Sequence, residues 1–503
     1  MSTPSTVPTN LEQQHKLAKD LLRAARAGDP DALARIRAVR SDAGLVDRAW
    51  QLADAQLAIA REAGFVSWPK LVADLQARDV QAFRDAVTRG DVERVRGLLA
   101  TAHVRSRVND PMFAFGQRAA HISANNRQLL TMLIDAGADL NMKSDWENGP
   151  YTVLDRADES AARYLLERGA TLTPNVAARL GWFDELQALI NADASLVHAR
   201  GGDGQQPLHE AKTVAIADFL LDRGAEIDTR CIDHKTTPAQ YALVERPEVC
   251  RRLLERGAAP DIYMAARFGD VELATRLLDA DPACVAARIH EPGYAPVPPL
   301  HTYCWTLGFG RSPHDVALAF GHRHVYDLLV ARSPDRVRFI NAALAADERT
   351  ARAMLNDHPS LLTSLTRDDH SRLAIAIFHE RVDGAEVMLR LGFDPTAPGV
   401  DGGTALHAAC WVGSVRLVEQ ILALGRVSVE ARDPTHQSTP LGWTAFGSVH
   451  RRARGADYVA VIDRLVAAGA DIRALANGEG RTLVQMAQGN AAMQQALRSR
   501  GAS

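Results

Sequence analysis

A short phrase recurs along this chain of 503 residues: two apolar residues, two others, then glycine, usually followed by alanine. It reads Leu133-Ile134-Asp135-Ala136-Gly137-Ala138, and returns at Leu165-Leu166 with Gly169-Ala170, Leu220-Leu221 with Gly224-Ala225, Leu253-Leu254 with Gly257-Ala258, and Leu465-Val466 with Gly469-Ala470. Fixed spacing of this kind means a repeat. A unit of about 30 residues is too small to offset roughly 1.5 kcal/mol of ordering entropy per residue with a core of its own. Neighbouring units must therefore stack to bury their apolar faces.

Each phrase follows a helix start. The stretch from Thr404 reads TALHAACWVGSVRLVEQILALG, with shorter relatives at Gln206 (QPLHEA), Thr237 (TPAQYA), Pro299 (PLHTYC) and Thr439 (TPLGWT). A hydroxyl or amide residue caps a helix whose first turn admits proline, as in Thr237-Pro238 and Thr439-Pro440. Gly413 ends that helix, a second carries Val415, Val418, Ile421 and Leu422 on one face, and Gly425 stops it. These residues resemble the ankyrin repeat. The resemblance implies an all-α dominated solenoid of helix-turn-helix units joined by short β-hairpin or irregular loops. It also implies that His209, His301 and His407 are structural histidines, bonding local backbone and the capping residue. Setting aside about 80 N-terminal residues, a 33-residue period gives about 12–13 repeats.

The sequence predicts a disordered tail over 1–10, an N-terminal helical cap over 11–78 and the repeats over 79–503. Residues 16–39 carry Leu17, Leu21, Leu22 and Ala25 at helical spacing, broken at Gly28-Asp29-Pro30, where an aspartate cap opens a second helix. A third spans about 50–63, and Ser67-Trp68-Pro69 opens a fourth through about residue 76. The segment LADAQLAIAREAGFVSWPKLVADL resembles the leader ahead of the repeats in many bacterial ankyrin-repeat proteins. A variant unit recurs with Gly90, Gly181, Gly269 and Ala346 in equivalent places, and three copies share a tail: ADASLVHAR from Ala192, ADPACVAAR from Ala280 and DHPSLLTSL from Asp357. Residues 479–503 exchange apolar positions for Gln485, Gln488, Gln494 and Gln495, the wet outer face expected of a C-terminal cap.

Net charge is −3, so no overall basic field draws phosphate backbones or anionic membranes, and no nucleic-acid or membrane partner is expected. No run nears 18 apolar residues and no signal sequence opens the chain, which makes a cytoplasmic monomer the expectation. The five cysteines, Cys231, Cys250, Cys284, Cys304 and Cys410, are scattered and read as reduced and buried. No phosphate loop, nucleophile elbow or metalloprotease helix occurs. His301 with Cys304, and His322 with His324, have metal-ligand spacing, but each lies in a repeat-like phrase that accounts for it. Neither enzyme activity nor a cofactor or metal is expected.

Recognition of another macromolecule, most directly a protein, is the expected function. Five positions after a first-helix leucine stand Trp305 (from Leu300), Trp411 (from Leu406) and Phe446 (from Leu441), with Trp443 beside the last. Rings at one equivalent site serve either as contact anchors or as packing between adjacent repeats. Two insertions add candidates. One, from Glu291, bears Tyr294 and Phe309 on a proline-stiffened loop. The other, residues 447–457, carries Arg451, Arg452 and Arg454, three guanidinium groups suited to a carboxylate-rich or phosphorylated partner or to plain solvation. The rival reading is an enzyme or small-ligand protein that uses residues 291–314 as a pocket.

Overall fold

The computed structural model describes residues 10–39, 49–290, 300–451 and 455–502. Among the described residues the regular structure is helical throughout, with no strand, and no helix is long and apolar enough to cross a membrane. The chain forms two compact units, residues 1–233 and 234–503.

The first unit opens with four helices. Leu11–Arg26 starts at Asn10, whose side-chain oxygen accepts the N–H groups of Glu12 and Gln13 at 2.8 and 3.2 Å. Asn10 is thus a cap and not part of the expected tail, whose residues 1–9 lie outside the described residues. Pro30–Arg37 begins under the Asp29 carboxylate, 2.8 Å from the Ala32 N–H, as the Gly-Asp-Pro step predicts. Leu52–Glu62 follows, and then Trp68–Arg89, a single helix of 22 residues. The sequence pattern ends that helix near residue 76 and places a boundary at 78; the helix instead runs through both. Its first half buries Leu71 and Leu75 with Leu21, Ile36 and Ile59. Its second half buries Phe83, Ala86 and Val87 with Val95, Leu99 and Leu133. The apolar face changes partners while the 3.6-residue period continues, so nothing local stops the helix.

The variant units end their first helices alike. Gly90, Gly181 and Gly269 have φ of +72°, +82° and +71°, and Ala346, in the matching place, has +59°. The shared tails of two copies also fold alike. Asp193 caps Ala194–His198 and Asp281 caps Pro282–Ala286, with Val197 and Val285 both buried. The closing arginines match too, since Arg200 donates to the Gly204 carbonyl and Arg288 to that of Gly310.

In the second unit, helix pairs succeed one another and stack like on like. Arg367–Phe378 packs on its partner Val382–Leu391 and on the next first helix, Ala405–Trp411. Ala405–Trp411 packs on Val415–Ala423 and on Pro440–His450, which in turn meets Leu483–Met486. The second helices form their own row, Val382–Leu391 on Val415–Ala423 on Tyr458–Ala467 on Ala491–Ser499. Between the rows Leu373, Leu406, Leu417, Ile421, Leu441 and Leu465 are buried in one cluster. Each contributes roughly 1.5–3 kcal/mol that a lone pair of helices could not collect.

Of the two loop forms expected, β-hairpin or irregular, the described residues show the irregular one, as tight turns without a ladder. The Gly399 N–H donates to the Gly403 carbonyl at 2.7 Å around Asp401 at φ +52°. The Gly201 N–H donates to Gln205 at 2.9 Å around Asp203 at φ +55°. One closing bond per turn leaves too few paired residues for strands.

Two of the three histidines behave as the resemblance implies. His407 Nδ1 accepts the Thr404 N–H at 3.1 Å while Nε2 meets the Ala431 carbonyl at 3.0 Å, and His209 Nδ1 accepts the Gln206 N–H at 3.1 Å. His301 differs. Its Nδ1 takes the Tyr303 N–H at 3.2 Å and its Nε2 faces Gln240 Oε1 at 3.1 Å, because Cys304–Gly308 forms a wide π-type turn instead of a capped helix. His121 fills the role unannounced, Nδ1 to the Arg118 N–H at 3.3 Å and Nε2 to Tyr151 O at 3.1 Å. An arginine at its cap position conceals the phrase.

Candidate functional site: an aromatic seam on the first-helix row

The rings singled out in the sequence join one line in the second unit. Trp305 lies against His234, centroids 4.8 Å apart, and against Phe309 at 6.5 Å. Phe309 stacks on His379 at 4.9 Å with planes 13° apart, and His379 adjoins Phe378 at 5.2 Å. Phe378 stacks on Trp411 at 5.6 Å and 4°, Trp411 meets Phe446 at 6.0 Å, and Phe446 meets His450 at 4.1 Å. Eight rings therefore run without a gap from His234 to His450. From Phe378 to Phe446 they do so because successive first helices stack, which brings their equivalent positions into file.

Phe378 was not among the expected residues, yet it stands five positions after the buried Leu373, the same offset as Trp411 and Phe446. Its helix lacks the Thr-x-Leu-His phrase, starting instead at Thr366 with Asp369 closing the capping box. Exposure differs along the file. Trp305 is 56% exposed and Phe446 37%, whereas Phe378 and Trp411 are half-buried. Trp443 is only 7% exposed, and its indole N–H donates to Asp433 at 2.9 Å. Trp411 and Trp443 pack against each other at 6.4 Å and also line a cavity.

Two cavities flank the seam. One, of about 310 Å³, is bounded by Phe378, Trp411, Trp443, Phe446 and Met486, with Asp401, Glu479 and Arg481 among its polar residues. The other, of about 430 Å³, lies beside Phe309 and includes His290, Ser371, Arg372, His379 and the turn at 398–402. Burial, then the charges of Arg451, His290 and Arg381, hold His379 down to about 4, so its ring is neutral at pH 7. Burial lowers His290 as well. Behind this cavity Asp315 bonds Arg381 at 2.9 Å and lies 3.9 Å from Arg288; although burial opposes its charge, the two guanidinium groups keep Asp315 at about 2.

Of the arginine trio, Arg452 and Arg454 lie outside the described residues, as does Tyr294. Arg451 is paired with Glu380 at 2.5 Å. Of the histidines with metal-ligand spacing, His301 is bonded as described above and His322 Nε2 meets the Arg267 carbonyl at 3.0 Å, while His324 is exposed. The cysteines are buried apart from the half-buried Cys284. Burial raises Cys250, Cys304 and Cys410 to about 12 and Cys284 to about 11, which keeps these thiols protonated and poorly nucleophilic.

Residues 401–434 match the family model described as ankyrin repeat. The match covers the turn at Asp401, the Ala405–Trp411 and Val415–Ala423 helices and the strip that ends beside Asp433. No curated protein matches the chain. An ankyrin repeat is a protein-interaction element, and the repeat recognised here carries Trp411, one of the eight rings of the seam.

Proposed function

We propose that this chain is a non-catalytic cytoplasmic binding protein, built as an ankyrin solenoid of about 12–13 repeats behind a helical cap over 11–78, that grips a protein along the first-helix row of residues 234–503. The observation that carries this reading is the file of eight rings. A structural core has no need to leave Trp305 and Phe446 open to water, and large aromatics at equivalent positions on stacked helices offer contact area at little conformational cost. The surface serves an extended partner, since the rings follow the stack and not a closed pocket.

The test is affinity capture with the full chain and with a Trp305→Ala/Phe446→Ala double variant. The expected result is a protein held by the parent chain and lost from the variant, with thermal melts within about 3 °C of each other, since exposed rings contribute little to stability. Equal capture by both chains would refute the role of the seam.

A second reading draws on the 430 Å³ cavity beside Phe309, in the region of the 291–314 insertion. A small ligand seated there would place the chain among ligand-binding proteins. It predicts saturable binding of a metabolite that survives the double substitution.

A further inference from the structure

The smaller cavity has a chemistry of its own. Its aromatic walls are crossed, Trp411 against Trp443 at 80° and Phe378 against Trp443 at 76°, while Phe446 is tilted 31° from Trp411. Crossed rings present π-electron density from more than one direction, which suits a compact cation. Charge points the same way. Two carboxylates, Asp401 and Glu479, line the cavity against one guanidinium, Arg481, which is itself bonded to Glu479 at 2.9 Å, and a third, Asp433, is buried against the Trp443 indole N–H. His436 lies 3.4 Å from Asp401.

Asp433 acts through Trp443. It is 1% exposed and accepts three bonds, from the N–H groups of His436 at 2.6 Å and Ser438 at 3.0 Å and from the Trp443 indole at 2.9 Å. A carboxylate on an indole N–H pushes electron density into the ring and strengthens the attraction of its face for a positive charge. Asp401 and Glu479 are exposed at the rim, where they can approach a charged head without being desolvated themselves.

We propose that the cavity between Trp411, Trp443 and Phe446 seats an alkylammonium group, delivered by a lysine side chain of the protein partner. The inference rests on the proposed binding role, and it goes further by fixing the charge of the segment that crosses this part of the seam. Its methylene stem lies along Phe378 and Met486, and its head meets the carboxylate side of the rim.

The experiment titrates the full chain with choline and with its neutral isostere 3,3-dimethyl-1-butanol, following the indole ¹H–¹⁵N signals of Trp411 and Trp443. Choline is expected to shift these signals saturably and at least about tenfold more tightly than the alcohol. An Asp401→Asn/Glu479→Gln variant should cut that preference severalfold, whereas Glu93→Gln, at an exposed carboxylate of the first unit outside the seam, leaves it unchanged. N-acetyl-lysine methylamide should bind the same site in competition with choline. Equal binding of choline and the alcohol would show a merely apolar cavity, and no shift with either would show that the cavity seats no such group; both outcomes overturn the proposal. Neither touches the capture experiment, so the seam's role in protein binding stands or falls separately.

Discussion

Ala346 occupies backbone that its relatives give to glycine. With φ at +59° it carries the steric cost of a left-handed L-residue, roughly 1 kcal/mol, at a helix end where Gly90, Gly181 and Gly269 carry none. Ala346→Gly removes that strain but loosens the unfolded chain, so the net expectation is a gain of about 0.5 kcal/mol, read as a raised urea midpoint at constant slope. His314 makes a second prediction. Only 2% exposed, its Nε2 lies 3.0 Å from the Ser333 hydroxyl, and burial holds its pKa down to about 4. The unfolded chain protonates this ring near 6.5 and the folded chain near 4, so between those values the unfolded state holds more protons. Stability contributed by neutral His314 is present above about pH 6.5 and is lost as pH falls toward 4, on the order of 2–3 kcal/mol. Denaturant melts from pH 7 to pH 4.5 should show that decline, and His314→Gln should reduce it while the share of His379 remains; an unchanged slope in the variant would rule His314 out as a source.

At the scale of elements, close approach sets what a helix tolerates. Gly447 lies inside Pro440–His450, and a Cβ there would stand 2.6 Å from the Trp411 carbonyl oxygen. In an exposed helix Gly→Ala stabilises by about 1 kcal/mol; here the overlap forces two first helices apart, and Gly447→Ala should cost about 1–3 kcal/mol. A melting temperature equal to or above the parent's would show that the row yields more easily than the contact implies. Elements were legible where chemistry is local. The Asp29 cap, the glycine-ended variant helices and the five-residue offset of Trp411 and Phe446 all follow from near neighbours in sequence. Phe378 and His121 escaped because a different cap residue disguised their helices, although the offset from Leu373 would have found the first. The Glu380–Arg451 pair was out of reach, since it joins residues far apart through a turn in which Glu380 itself takes φ +60°.

At the scale of the molecule, the buried side chains described above fall into separate clusters, so damage should stay local. The proposed solenoid gains its stability from nearest neighbours. Leu406→Ala, which opens the cluster shared by the Arg367–Phe378, Ala405–Trp411 and Pro440–His450 helices, should lower amide-exchange protection there by several kcal/mol. Protection in Leu11–Arg26, whose buried residues belong to another cluster, should be unaltered; a uniform loss across the chain would mean one cooperative unit instead. That helical pairs succeed one another in the second unit could be read from the recurring glycine phrase, because its spacing reports where each second helix stops. Where one apolar cluster gives way to the next could not, because Trp68–Arg89 keeps its period across the change.

That helix has a mechanical meaning. A rod with one end bedded in Leu21 and Ile59 and the other in Val95 and Leu133 cannot rotate about its axis in one bed without turning in the other. The leading four helices therefore act as a keyed handle on the pairs that follow, fixing their angle, and a truncation at residue 79 would cut through the key itself.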